Sequence, residues 1–281
     1  MKVSIVSRED YIGLMQDVSK DCFTYGKLRR KYMAIGKDTF DFLFIHAQGR
    51  LHFRRYKDLN NDVERREKVY DEFLVEIERK KREDVATKKA GGLGMNPCLF
   101  LRVLLGCFFR RNRWGSEGEI QETITRITHN TDWARRITTN VFFNMNVVHC
   151  ILSDHMVHSR IFETERRDAG IEGERMLEGE LNSMGIPFYT EQYLQRIGES
   201  KTPDVLLRSP IYVNGNAVNW IESKNLFGDC SVYSEHRRSQ LVPYVDLFGS
   251  GMVIYWKGYI EDLPPIDGVL VAAEFPETIS R

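Results

Sequence analysis

Asp204, Glu222 and Lys224 stand among apolar residues in TPDVLLRSPIYVNGNAVNWIESK, residues 202–224. Asp204 opens the run, Asn214-Gly215 divides it, and Glu222 and Lys224 close it. Asn and Gly tolerate positive φ, so the dipeptide predicts a tight hairpin between two antiparallel strands. Strand side chains alternate faces, which puts Trp220, Glu222 and Lys224 on one side and Ile221 and Ser223 on the other. Asp204 begins the partner strand, where its carboxylate reaches the same region. Two acids and a lysine converging on one point suit metal-dependent hydrolysis. The carboxylates hold a hard divalent cation, and the lysine orients or activates the attacking water. The alternative is a salt-bridged hairpin, Lys224 with Glu222 or Asp204, and exposed pairs of that kind contribute only ~0–1 kcal/mol.

The surrounding elements alternate between helix and strand. DAGIEGERMLEGELNSMG has Met176, Leu177, Leu181 and Met184 at helical spacing and Gly185 as a stop. IPFYT is a short strand. SVYSEHRRSQLVPYVDLFG reads as a helix that Pro243 must kink or delay. GMVIYWKG, apolar, β-branched and aromatic, predicts a central strand, and GVLVAAEF one more. The expected order is helix, strand, hairpin, helix, strand.

Pro-Asp, a short hairpin and Glu-Ser-Lys together resemble the P-D…(D/E)-x-K signature of the restriction-endonuclease-like nuclease superfamily. More narrowly, KTPD at 201–204, WIESK at 220–224, FGD at 227–229 and FGSGMVIYWKG at 248–258 resemble the TPD-motif family. The resemblance spans roughly residues 170–262. It implies a restriction-endonuclease-like α/β core in which Asp204 and Glu222 are metal ligands and Lys224 positions water or phosphate. It further implies an acid from the preceding helix, for which Glu174 is the choice and Glu178, one turn later, the fallback. A polar residue from the following helix is also implied, and Gln240 occupies that place. Mg²⁺ is the cofactor so implied, with Mn²⁺ as a substitute. The partners so implied are nucleic acid, as DNA of branched or flapped structure, and a codanin-like protein. A nuclease fold kept as a binding module, with little or no turnover, is the competing class.

Residues 1–165 form the expected helical N-terminal region and 166–281 the nuclease domain. Before residue 116 there are 25 basic against 16 acidic residues, and after it 15 against 24. A basic half suits an anionic partner and an acidic half metal-binding carboxylates, although two unevenly charged solvated surfaces give the same counts. VSREDYIGLMQDV starts a helix capped by Ser7, and KDTFDFLFIHAQG is a helix from Asp38 to Gly49. FTYGKLRRKYM between them supplies a turn and a basic helix, a helix-turn-helix-like pattern for nucleic acid. Residues 61–85 are an amphipathic helix. AGGLGMNP, lacking the Gly-Lys-Ser/Thr of a phosphate loop, is a linker before a helix opened by Pro97. SEGE at 116–119 is a capping box.

HCILSDHMVH places His149, Cys150, Asp154, His155 and His158 within one stretch. Zinc needs a second ligand cluster, which the chain does not offer, so these are read as helical polar residues. Cys22, Cys98, Cys107, Cys150 and Cys230 are scattered and odd in number, which suits reduced thiols in the nucleus and cytoplasm rather than a disulfide framework. No signal peptide is expected. The run PCLFLRVLLGCFF is too short for a membrane span and carries Arg102, so it predicts a core helix.

Overall fold

Asn214 and Gly215 both adopt positive φ, 49° and 80°, as the hairpin requires. The computed structural model describes residues 5–20, 24–154 and 160–280, with side chains outside 160–169. The chain divides into two compact units: Met1–Ile45 with Arg167–Arg281, and His46–Arg166. Whereas the sequence groups residues 1–165 together, the first 45 residues thus group with the second half.

In chain order the elements begin with β1 (Ile5–Val6), α1 (Arg8–Ser19), α2 (Tyr25–Lys31), α3 (Lys37–Asn61), α4 (Val63–Lys80), α5 (Val85–Gly92) and α6 (Pro97–Arg111). They continue with α7 (Glu117–Thr128), α8 (Thr131–Ala134), α9 (Val141–Leu152), α10 (Arg160–Ser183), β2 (Phe188–Thr190) and α11 (Glu191–Ile197). The carboxyl-terminal part is β3 (Val205–Val213), β4 (Asn216–Lys224), α12 (Cys230–His236), α13 (Val242–Phe248), β5 (Gly251–Tyr255), β6 (Tyr259–Ile260) and β7 (Val269–Ala272).

The unit His46–Arg166 is helical around α6, whose Leu99, Phe100, Leu101, Val103 and Leu105 are all buried. Asn96 caps α6 and Pro97 opens it, and the Ser116–Glu119 capping box of α7 forms in both directions. Two expected breaks do not occur. The helix expected to stop at Gly49 continues to Asn61, because Leu51 and Leu59 still have core to bury into. The AGG expected as linker lies inside α5, since Ala86 and Ala90 are buried there. A glycine inside a helix costs only about 1 kcal/mol, which packing overrides. The chain turns instead at Gly94, φ 58°, whose carbonyl accepts Arg55 Nη1 at 2.6 Å.

The other unit is built on a mixed sheet ordered β2-β3-β4-β5-β7. The pairs β2–β3 and β3–β4 are antiparallel, and β4–β5 and β5–β7 parallel. β5 is buried throughout, as its composition predicts for a central strand. Leu177 and Leu181 of α10 pack with Val205, Ile221, Met252 and Ile254. Tyr233, Leu241 and Tyr244 of the later helix pack with Trp220, Val253 and Tyr255. Helices therefore cover both faces, and β4 sends alternate side chains to each. At the amino terminus, Ser7 caps α1 as expected, and β1 pairs in parallel with β6. Tyr11 stacks on Phe227 at 5.7 Å between centroids and donates to Asp229 Oδ2 at 2.9 Å, while Arg8 bridges Asp262.

Pro243 does not end its helix. Residues Arg237–Leu241 form a π-helical turn between α12 and α13, in which the Val242 N–H reaches back five residues to the Arg237 carbonyl. Pro243 then sits in the first turn of α13. The widened turn admits the ring without breaking the chain's course.

Candidate active site

Asp204 lies on the loop before β3, and the alternation that sends Val205 toward α10 sends Asp204 toward the α12–α13 face. Trp220, Glu222 and Lys224 of β4 face the same way, with Trp220 packed against Tyr244 at 5.3 Å. Ile221 and Ser223 face α10; a side chain at Gly173 of that helix would press on Ser223 Oγ. The three residues expected together are together.

Their contacts are specific. Glu222 is 1% exposed. Its Oε1 receives Lys224 Nζ at 2.5 Å and Gln240 Nε2 at 2.8 Å, and its Oε2 receives the Asp204 N–H at 3.3 Å. Asp204 Oδ2 in turn accepts the Ser223 N–H at 2.7 Å. Gln240, carried on the π turn, is thereby placed beside Glu222. Its Nε2 also approaches Tyr244 Oη at 3.4 Å, and the Tyr244 hydroxyl donates to the Thr202 carbonyl at 3.3 Å.

Burial and the neighbouring Glu222 charge hold the Asp204 carboxyl well above the usual carboxylate range. Burial also raises Glu222, with Lys224 opposing. Desolvation dominates in both because a carboxylate withdrawn from water loses its hydration. Glu174 is raised too, by partial burial and then by Glu191, Glu178 and Glu222. Expected as a further metal ligand, it comes from α10 and makes none of the hydrogen bonds above, while its charge and that of Glu222 bear on each other. Glu178 stands with it on the same helix and makes none either.

The sequence does not single out Glu191, Tyr244 or His236. The Glu191 N–H donates to the Asp204 carbonyl at 3.1 Å, and Glu191 Oε1 accepts Thr202 Oγ1 at 3.4 Å. Its signal is the Thr190 cap after a short strand, a helix start that sets an acid beside the loop. Tyr244 is one turn beyond Gln240. The His236 ring stacks on Tyr255, with Nδ1 2.9 Å from the hydroxyl. Burial, and then Lys224, lower its pKa to about 4, so the imidazole is neutral at neutral pH.

As a cation site the acids form a pair. Among the described residues no three His, Cys, Asp or Glu side chains are gathered closely enough to enclose an ion. A magnesium-like ion needs no such cage, because it keeps waters and takes one or two carboxylates with substrate phosphates. The pair is oxygen-only, carries like charges and resists ionisation, and a hard divalent cation would relieve that.

Other expected features make local contacts. Asn96 Nδ2 donates to Asp154 Oδ1 at 2.6 Å, and burial pushes the Cys150 thiol far up. His155 and His158 lie outside the described residues, as does Cys22. Cys98, Cys107, Cys150 and Cys230 are free thiols. In basic α2, Lys31 pairs with Asp17 and Arg29 covers the Phe40 ring. No single helix among the described residues is long and apolar enough to cross a membrane.

Fold and site together define a mixed α/β protein with an acid–acid–lysine constellation on one sheet face. The TPD-motif resemblance is borne out: residues 140–275 match the family described as "Protein of unknown function TPD sequence-motif". The chain is similar to "CDAN1-interacting nuclease 1" of Danio rerio, 28% identical over 214 residues, 75% of this chain and 69% of that one. The Homo sapiens protein of the same name is 27% identical over 255 residues, 90% and 88% of the two chains. The Gallus gallus protein is 42% identical over a shorter 91 residues, 32% and 34%. No solved structure matches.

Proposed function

We propose that this chain is a metal-dependent nuclease with a restriction-endonuclease-like core, hydrolysing phosphodiester bonds in DNA. The observation that carries the reading is the Asp204–Glu222 pair, Glu222 buried and Asp204 half-buried, with Lys224 on the same face. Asp204 and Glu222 would hold Mg²⁺ or Mn²⁺, which when bound would neutralise phosphate charge and lower the pKa of a bound water. Lys224 would orient the attacking water or a phosphate oxygen. Gln240 would fix the rotamer of Glu222, and Glu174 would add negative field from α10. The names of the similar proteins, nucleases in print, support the class. Branched or flapped DNA is the substrate structure proposed. The test is cleavage of linear, flapped and four-way DNA with Mg²⁺ or Mn²⁺, beside the Glu222→Gln variant. Equal cleavage by parent and variant would remove the site from the reaction.

A second reading, a nuclease fold serving as a stable partner of a codanin-like protein, is favoured by one observation. Lys224 already pairs with Glu222, so one of the two acids has a counter-charge without any ion. This reading expects no metal-dependent cleavage by the parent, and unchanged partner binding in Glu222→Gln and Lys224→Ala.

A further inference from the structure

Pro243 has no N–H to offer the carbonyl four residues before it, that of Ser239. That carbonyl accepts Lys201 Nζ instead, at 3.1 Å. Lys201 immediately precedes Thr-Pro-Asp, so its side chain ties the loop bearing Asp204 to the π turn bearing Gln240. Among the described residues no carboxylate pairs with Lys201; the partner found for its ammonium is a neutral carbonyl. A second tie runs parallel, from the Tyr244 hydroxyl to the Thr202 carbonyl. The first joins the loop to the π turn and the second joins it to α13 directly beyond, and the loop and the π turn each hold one acid. The loop carries Asp204, whose Oδ2 is gripped by the Ser223 N–H, and the π turn carries Gln240, which grips Glu222 Oε1.

We propose that Lys201 is a positioning residue, clipping the Asp204 loop to the π turn so that the two carboxylates keep their spacing. The inference rests on the proposed metal-dependent nuclease only in what the spacing is for. A π turn is a costly departure from the α-helix and is often found at functional sites. Here it brings an amide to Glu222 and turns a carbonyl toward Lys201, and the clip holds both in register. Lys201 touches neither acid. It acts through the backbone of Ser239 and its own chain neighbours.

The test has a metal-free arm and a metal arm, on the full chain with Lys201→Met and Lys201→Arg. Without metal, amide hydrogen exchange is followed by NMR at Ser223, whose N–H is held by Asp204, and at Val253 in the central strand. Lys201→Met is expected to speed exchange at Ser223 roughly fivefold and leave Val253 unchanged, as for loss of one local hydrogen bond. Lys201→Arg, which can still donate to the Ser239 carbonyl, is expected to restore the parent rate. In Mn²⁺ titrations Lys201→Met should bind about tenfold more weakly, the usual scale for losing an outer support of a ligand. Unchanged Ser223 exchange in Lys201→Met overturns the clip. Equal acceleration at Ser223 and Val253 also overturns it, because that is general loosening. A parent that binds no Mn²⁺ while Ser223 still responds would sink the metal reading and leave the clip standing.

Discussion

The main-chain N–H of Asp204 donates to the Glu222 carboxylate at 3.3 Å, while the amide following Glu222, that of Ser223, donates to the Asp204 carboxylate at 2.7 Å. Each acid is held by the backbone beside the other. The arrangement fixes two like charges near one another in a buried place, and its consequences can be measured.

The first concerns pH without metal. Both carboxyls bind protons more tightly in the folded chain than in the unfolded one. The sign follows: the native state gains protons relative to the unfolded state, so this site's contribution to stability falls as pH rises from the ordinary carboxylate range through the raised values. Unfolding in chelator should show that loss above about pH 4, and Glu222→Gln should reduce it. A profile unaltered by the substitution would contradict the placement. Added Mn²⁺ should recover stability at neutral pH in the parent and much less in the variant.

Lys224→Ala separates chemistry from ion holding. Cleavage should fall by about 10²–10⁴, the range for a group that positions or transfers a proton. Mn²⁺ affinity should stay equal or tighten, since the ammonium at Glu222 Oε1 competes with the ion. Loss of Mn²⁺ binding would show that Lys224 builds the site.

His236 opposes the carboxylates in its pH dependence. Its pKa is lowered to about 4, so between that value and the ordinary ~6.5 the unfolded chain takes up a proton that the native one refuses. Stability is lost as pH falls through this window. His236→Phe keeps a ring against Tyr255 and should flatten the loss; an unchanged slope between pH 6.5 and 4 would place the titration elsewhere.

Gly251 is needed for want of space. A Cβ there would lie 2.1 Å from the Trp220 ring, which is fully buried and donates Nε1–H to the Gly249 carbonyl at 2.8 Å. Gly251→Ala should destabilise by about 1–3 kcal/mol in chemical denaturation, as overpacking does. Because Trp220 is two residues from Glu222 on the same face, Mn²⁺ affinity should weaken as well.

Tyr11→Phe should cost about 1 kcal/mol by removing the donor to Asp229, and Tyr11→Ala more, by losing the stack on Phe227. Denaturation of the full chain checks both. No change in either would mean that α1 does not support the carboxyl-terminal unit. The same contacts predict that residues 168–281 alone, deprived of β1 and α1, fold less stably than the intact chain.

The hairpin was legible because Asn-Gly leaves few backbone choices, and with it the shared face of Asp204, Glu222 and Lys224. The placement of Gln240 was legible only through resemblance, since its contact depends on a π turn that no periodicity announces. Glu174 shows the reverse. Its helix was readable, but whether it reaches the pair depends on how α10 lies across the sheet. The ends of α3 and α5 were misread for one reason: glycine is a weak stop when neighbouring Leu51 or Ala90 has core to fill. Pairing of β1 with β6 joins residues more than 250 positions apart, and two-residue strands have no period to read.

The unit holding the paired acids is made from both ends of the chain, with His46–Arg166 inserted between. During synthesis its first 45 residues emerge early and must wait for β6, at Tyr259–Ile260, before β1 has a partner. The inserted unit, contiguous in sequence, can fold meanwhile. The acid pair therefore belongs to the last structure completed, after a long loop closure. Nascent chains released before residue 260 should contain a protected helical unit, while the segment carrying Asp204 and Glu222 is still open to proteolysis.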